Sequence, residues 1–87
     1  MPEELDLLKE VKISLGITGN FQDDLLNNFI FEVLEYLKDA GVKEEICQSK
    51  VVVGVVARGV NDLWNNDGNF SPYFMQRVTQ LTYKAVN

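Results

Sequence analysis

The segment from Asp23 to Lys38 constrains the fold most, because its residues separate by polarity when they are placed about 100° apart on a helix. The apolar side chains fall on one arc: Leu25, Leu26, Phe29, Ile30, Val33, Tyr36 and Leu37. Acidic and amide side chains occupy the opposite arc, except for Phe31, which lies in its middle. This pattern predicts an amphipathic helix with one face in a core and the other in water. Gly41 follows it and can adopt the left-handed backbone that ends a helix.

The segment 49–67 is ambiguous by composition, because five valines among six residues favour a strand by propensity. Its apolar residues do not alternate with polar ones, however, and most of them share one helical arc. We therefore predict a helix. Gly54 and Gly59 are expected to be either weak points in this helix or sites of close packing against another backbone.

Two shorter patterns complete the predicted fold. Near the amino terminus, apolar residues recur every three or four positions up to Gly16, which is typical of a short helix and its stop. Ser71 followed by Pro72 is a helix-start signal. The chain is therefore expected to be all-α, a single domain over residues 1–87. It is a small bundle of three main helices at about 3–15, 22–40 and 49–67, with a C-terminal helical segment at about 72–85.

Composition excludes several classes of function. The net charge is −5 and the eight lysines and arginines form no run, which argues against sequence-independent binding of nucleic acid. Histidine is absent, which removes the commonest general base and metal ligand. The single cysteine, Cys47, has no histidine to activate it, so we interpret it as a buried or semi-buried structural thiol. Neither a signal peptide nor a long apolar span is recognisable, which predicts a soluble protein in a reducing compartment.

The acidic turn after segment 49–67 resembles only part of a calcium-binding loop. Asn65 and Asp67 fit the third and fifth positions of such a loop around Gly68. Leu63 and Phe74 occupy the first and twelfth positions, where calcium needs oxygen ligands. Elsewhere in the chain, carboxylates that are adjacent in the sequence cannot act together as a catalytic pair, because neighbouring residues on a helix do not face a common point. We therefore expect no metal, no cofactor, no catalytic residue and no enzymatic activity.

Two segments carry a resemblance to a known family: DDLLNNFIFEVLEYL in the predicted helix 22–40 and, later, VVVGVVARGVNDLWNNDGNFSPYFMQRVTQL. With the short leading helix, they resemble the small head–tail connector (adaptor) proteins of long-tailed bacteriophages and prophages, roughly from Leu5 to Tyr83. ARGVNDLWN and SPYFMQRVTQL are the most particular parts of the resemblance. Family members are often longer than this chain, so the peripheral strands or extensions of other members are not expected here.

The resemblance implies a mostly helical structural subunit of the virion, made in the cytoplasm of the bacterial host and not associated with a membrane. Family members assemble as rings, commonly of twelve copies, below the portal protein. A stopper or tail-completion protein joins the ring on its other side, and DNA passes through its centre without specific binding. The acidic composition of the chain agrees with this role, because an acidic lumen repels phosphate.

A small helical regulatory or nucleic-acid-associated protein is the alternative interpretation, since helix–turn–helix units have a similar length. Its best candidate for a recognition helix is the segment 49–67, which offers only Lys50 and Arg58 as cations. That shortage of positive charge disfavours the alternative.

If the chain is a connector subunit, its contacts are expected to use apolar residues on otherwise polar arcs. Val51 and Val55 lie one helical turn apart on the polar arc of segment 49–67. Arg58 and Asp62, four residues apart on the same strip, are placed to set register by charge pairing with a neighbour. The segment SPYFMQRVTQL is expected to reach the next subunit or the portal. The predicted subunit or partner interface comprises Phe31, Val51, Val55, Arg58, Asp62, Phe74 and Arg77.

Overall fold

The computed structural model describes residues 6–65 and 68–83, and these residues form helices and turns without a strand. The helices are α1 (Leu7–Leu15), α2 (Asp23–Asp39), α3 (Glu44–Cys47), α4 (Val53–Asn65) and α5 (Pro72–Thr82), and a 3₁₀ turn (Lys50–Val52) leads into α4. The prediction of a small all-α domain is confirmed, and the valine-rich segment is helical. Residues 3–5, 66–67 and 84–85, which the predicted helices included, lie outside the described residues.

The ends of the first two helices follow local chemistry. Asp6 caps α1, which begins at Leu7, by accepting a hydrogen bond from the N–H of Lys9 (3.2 Å). Gly16 and Gly41 end α1 and α2 with positive φ angles of 71° and 100°. At each glycine, the next N–H bonds back to a carbonyl in the last helical turn, which is the Schellman arrangement.

The central helix of the bundle is α4, which packs against α1, α2 and α5. Its close approach to α2 and α5 depends on Gly59. A Cβ atom at that position would lie 2.7 Å from Cε1 of Phe74 and 2.9 Å from Cγ2 of Val33. Since three helices cover α4, it is buried around most of its circumference. Its buried residues are Val55, Val56, Ala57, Gly59, Val60, Asp62 and Leu63.

The helix α2 buries the face that the sequence predicts, through Leu26, Ile30, Val33 and Leu37. Leu25 differs from the prediction, because it lies at the edge of the apolar arc in the first turn and is 42% exposed. The start of α2 is attached to α1 by an ion pair between Lys12 Nζ and Asp23 Oδ1 at 2.7 Å. The same Nζ donates to the carbonyl of Gly19 in the connecting turn. These contacts hold α1 and α2 as a hairpin.

Aromatic contacts attach α5 and one end of α4 to α2. The ring of Phe70, before α5, lies 4.8 Å from that of Tyr36 and 4.4 Å from that of Phe74, measured between centroids. Phe74 is completely buried, so α5 is docked on the bundle. At the carboxyl end of α4, Trp64 contacts Phe29 of α2 with ring centroids 6.1 Å apart. The bundle thereby presents the outer face of α2 and the outer side of α4 and α5 to solvent.

Candidate assembly surface

The residues predicted to form an interface divide into an exposed and a buried group. Phe31 is 66% exposed on the outer face of α2, and Val51 is 46% exposed in the 3₁₀ turn. Arg58 and Arg77 are exposed on α4 and α5. These four side chains are accessible to another protein.

Three of the predicted residues are not on the surface of the subunit, and the expectation that they are accessible is wrong. Val55 is 2% exposed because α5 covers the side of α4 that a single helical wheel shows as polar. Phe74 is buried in the core, where it holds α5. Neither side chain can meet a partner unless the subunit opens.

Asp62 also differs from its predicted role, because its partner lies within the same chain. It is 8% exposed, and its Oδ2 accepts hydrogen bonds from the N–H (3.0 Å) and the hydroxyl (2.7 Å) of Ser71. The hydroxyl of Ser71 in turn accepts from the N–H of Phe74 at 3.2 Å, which caps α5. Asp62 therefore fixes the start of α5 and is not free to pair with a neighbouring subunit.

Arg58 forms a contact that the sequence patterns did not predict. Its guanidinium carbon lies 4.8 Å from the ring centroid of Tyr73 on α5, a cation–π arrangement. Tyr73 is 50% exposed, so this contact lies at the surface of the subunit. A wheel of one helix does not show which residue of another helix lies beside it.

Both arginines of the chain line the same groove between α4 and α5, and we call it the arginine groove. Its lining residues are Gly54, Val55, Arg58, Tyr73 and Arg77. A second cleft of about 330 Å³ adjoins it on the side of α1 and shares Gly54 and Arg58. Among the residues that the structure describes, no carboxylate lines either cleft, although the whole chain has a net charge of −5.

Other exposed apolar side chains were not part of the predicted interface. Phe21, in the turn before α2, is 94% exposed, and Ile13 on α1 is 65% exposed. Ile13 falls outside the repeating apolar positions of its helix, so its exposure could have been predicted. Phe21 lies in a turn, where no periodicity indicates burial or exposure. Met75 and Tyr83 add to the apolar surface of α5.

The titratable and metal-binding groups show no catalytic arrangement in the part of the chain that the structure describes. No group of three or more cysteine or acidic residues there could hold a metal ion. Asp23 is paired with Lys12 and does not form a site with Asp24. Cys47 is buried, as predicted, and its pKa is raised, chiefly because burial disfavours the thiolate. Lys38 opposes this shift and Glu44 adds to it.

The described residues thus form a small helical subunit whose distinctive surface features are an exposed phenylalanine and an arginine groove. These features are typical of a protein that contacts other proteins. A model of the phage gp6-like head-tail connector protein family matches residues 5–82. The chain belongs to this family, as its sequence segments suggested.

The family is structural, so the chain is a connector component of a phage virion that assembles with other head and tail components. Searches of curated proteins and of solved structures gave no match. Among the helices that the structure describes, none is both long and apolar enough to cross a membrane.

Proposed function

We propose that this chain is one subunit of a ring that lies below the portal protein and joins the phage head to the tail. The family match over residues 5–82 carries the proposal. In this role, a ring of about twelve copies, as is common in the family, also contacts a stopper or tail-completion protein. Before assembly the subunit is present in the cytoplasm of the bacterial host, and it catalyses no reaction.

Surface composition supports a ring around a DNA channel. A subunit in a ring has neighbours on two sides, and the exposed Phe31 and the arginine groove lie on different helices. The net charge of −5 supports passage of DNA without tight binding, because phosphate is repelled by an acidic wall.

The alternative of a DNA-binding regulator receives no support from the position of α4. A recognition helix must present one face to a DNA groove. Most of the α4 surface is instead covered by α1, α2 and α5. Among the exposed residues of α4, Arg58 lies over the ring of Tyr73.

The proposal is tested by disabling this gene in the phage genome that encodes it and examining the particles by electron microscopy. We expect DNA-filled heads and separate tails, and we expect complete particles when the parent protein is supplied in trans. Complete, infectious particles in the absence of the protein would contradict the proposed function. Particles that lack packaged DNA but have joined tails would also contradict it.

A further inference from the structure

The arginine groove presents two cations whose hydrogen-bond donors are unused within the subunit. In the described part of the chain, neither Arg58 nor Arg77 forms an ion pair or donates a hydrogen bond. The cation–π contact with Tyr73 places the Arg58 guanidinium carbon over the ring and is not one of the hydrogen bonds that its N–H groups can donate. A guanidinium held in this way can bind a carboxylate through two parallel hydrogen bonds.

The shape of the groove allows a helix to come close. Gly54 lies on the outer side of α4, and a Cβ atom placed there would meet no other atom within 4 Å. Because Gly54 has no side chain, a gap is open beside it, and Arg58 and Tyr73 line this gap. A carboxylate-bearing helix with an apolar residue at its centre would therefore fit the charge and the form of this surface.

The outer face of α2 has that composition, and we call it the acidic face. It consists of the exposed residues Asp24, Phe31, Glu32 and Glu35. Phe31 and Glu35 are one helical turn apart, so an apolar and an acidic side chain project side by side. Lys38 is a basic residue on this side, and it lies 4.0 Å from Glu35. The 17 residues of α2 give a face about 25 Å long.

The acidic face and the arginine groove lie on different sides of one subunit. The inner face of α2 packs on α4, and Val33 contacts α4 at Gly59. Arg58 and Gly54 lie on the part of α4 that α2 does not cover. One copy therefore cannot bring its own two surfaces together, whereas two copies can.

We propose that the acidic face of one copy docks into the arginine groove of the next copy. The contact is heterologous, since two different surfaces meet, and repetition of such a contact closes into a ring when the rotation is suitable. This inference rests on the proposed function, and it names the two surfaces through which the ring forms. Charge complementarity selects the neighbouring copy as the occupant of the groove.

DNA is a poorer match for the groove than a second copy. Binding a phosphate backbone requires several clustered cations, and this groove has two. The exposed Phe31 at the centre of the acidic face gives a neighbouring copy an apolar contact that a phosphate backbone lacks.

The experiment uses charge exchange in the full-length protein, supplied in trans to phage whose own copy of the gene is disabled. The groove variant is Arg58→Glu with Arg77→Glu, and the face variant is Glu32→Arg with Glu35→Arg. The exchanged variant carries all four substitutions and so restores opposite charges across the contact.

The control, Lys43→Glu with Lys50→Glu, changes the net charge as the groove variant does but alters exposed lysines outside both surfaces. Helical circular dichroism and thermal melting establish that each variant folds.

We expect the groove and face variants to lower the yield of joined particles at least about a hundredfold, as loss of two interfacial charge pairs does. The exchanged variant should recover to within about tenfold of the parent, and the control should match the parent. The inference is overturned if both double variants join heads to tails as well as the parent does. It is also overturned if the exchanged variant stays as defective as the double variants, because the groove then binds another component or DNA. In either case, complementation by the parent would still support the proposed function.

Discussion

Gly54 and Gly59 occupy the same helix, yet the space beside them differs completely. A Cβ atom at Gly59 would overlap Phe74 and Val33, which are both buried, whereas at Gly54 it would meet nothing. We expect Gly59→Ala to lower the free energy of unfolding by about 1–3 kcal/mol through overpacking. Gly54→Ala, the matched control, should raise it by about 0.5–1 kcal/mol through the better helix propensity of alanine. Urea unfolding of the two variants measures both values, and equal effects would contradict the packing at Gly59.

Phe31 and Val55 were both predicted to be surface residues, and only Phe31 is exposed. We expect Phe31→Asp to leave the helical signal and the melting temperature nearly unchanged and to block the joining of heads to tails. Val55→Asp should instead destabilise the subunit strongly, because it replaces a buried apolar side chain, only 2% exposed, by a carboxylate that must give up its contact with water. Thermal melting and complementation of connector-deficient phage separate these outcomes. A Phe31→Asp variant that joins heads to tails normally would remove this residue from the assembly surface.

Because of Cys47, the stability of the folded protein is expected to decrease at alkaline pH. Burial raises the pKa of this thiol in the folded chain, so the unfolded chain loses the proton first as the pH rises. The contribution of the thiol to stability is therefore complete below its ordinary pKa and decreases as the pH rises through the higher value of the folded state. Between about pH 8 and pH 10 the parent should lose more unfolding free energy than a Cys47→Ala variant. If urea unfolding shows that the parent and the Cys47→Ala variant lose equal unfolding free energy over this pH range, the effect of burial on this thiol is contradicted.

At the scale of the elements, the start of α5 depends on a residue nine positions away in α4. Asp62 accepts two hydrogen bonds from Ser71. We expect Asp62→Ala to lower the free energy of unfolding by about 1–3 kcal/mol, because both donors of Ser71 then lose their acceptor. Glu32→Ala removes the same charge from an exposed position and should change it by less than about 0.5 kcal/mol. Urea unfolding compares the two, and an equal, small effect of both would show that the Asp62 contacts do not stabilise α5.

The helices themselves could be predicted from the sequence because each carries its own local signals. Apolar periodicity located α2 and α4, while Gly16, Gly41 and Ser71 marked helix ends. These signals act within a few residues and do not depend on the rest of the fold.

The assembly surface was predicted less well, because exposure depends on contacts between helices. The wheel of α4 showed Val55 and Asp62 on a polar arc, but α5 returns and covers that side. The cation–π contact between Arg58 and Tyr73 likewise joins two helices that are separated by a turn. Periodicity along one helix contains no information about which neighbour covers its second side.

At the scale of the whole molecule, the subunit is a slab of 38 × 37 × 18 Å. The acidic face of α2 and the arginine groove lie on different sides of it. A ring built from this slab would repeat one contact around a central channel. In the proposed ring, the acidic composition of the subunit would disfavour adhesion of DNA to that channel.

The most direct measurement is an electron cryomicroscopy reconstruction of the head–tail junction in particles that contain the parent protein. We predict a ring of densities between the portal and the tail, each of which fits the helical bundle. In that map, α2 of each copy should lie against α4 and α5 of the next. A junction formed by a different protein would contradict the connector role. A ring of these subunits with the outer face of α2 exposed to solvent would contradict the proposed contact.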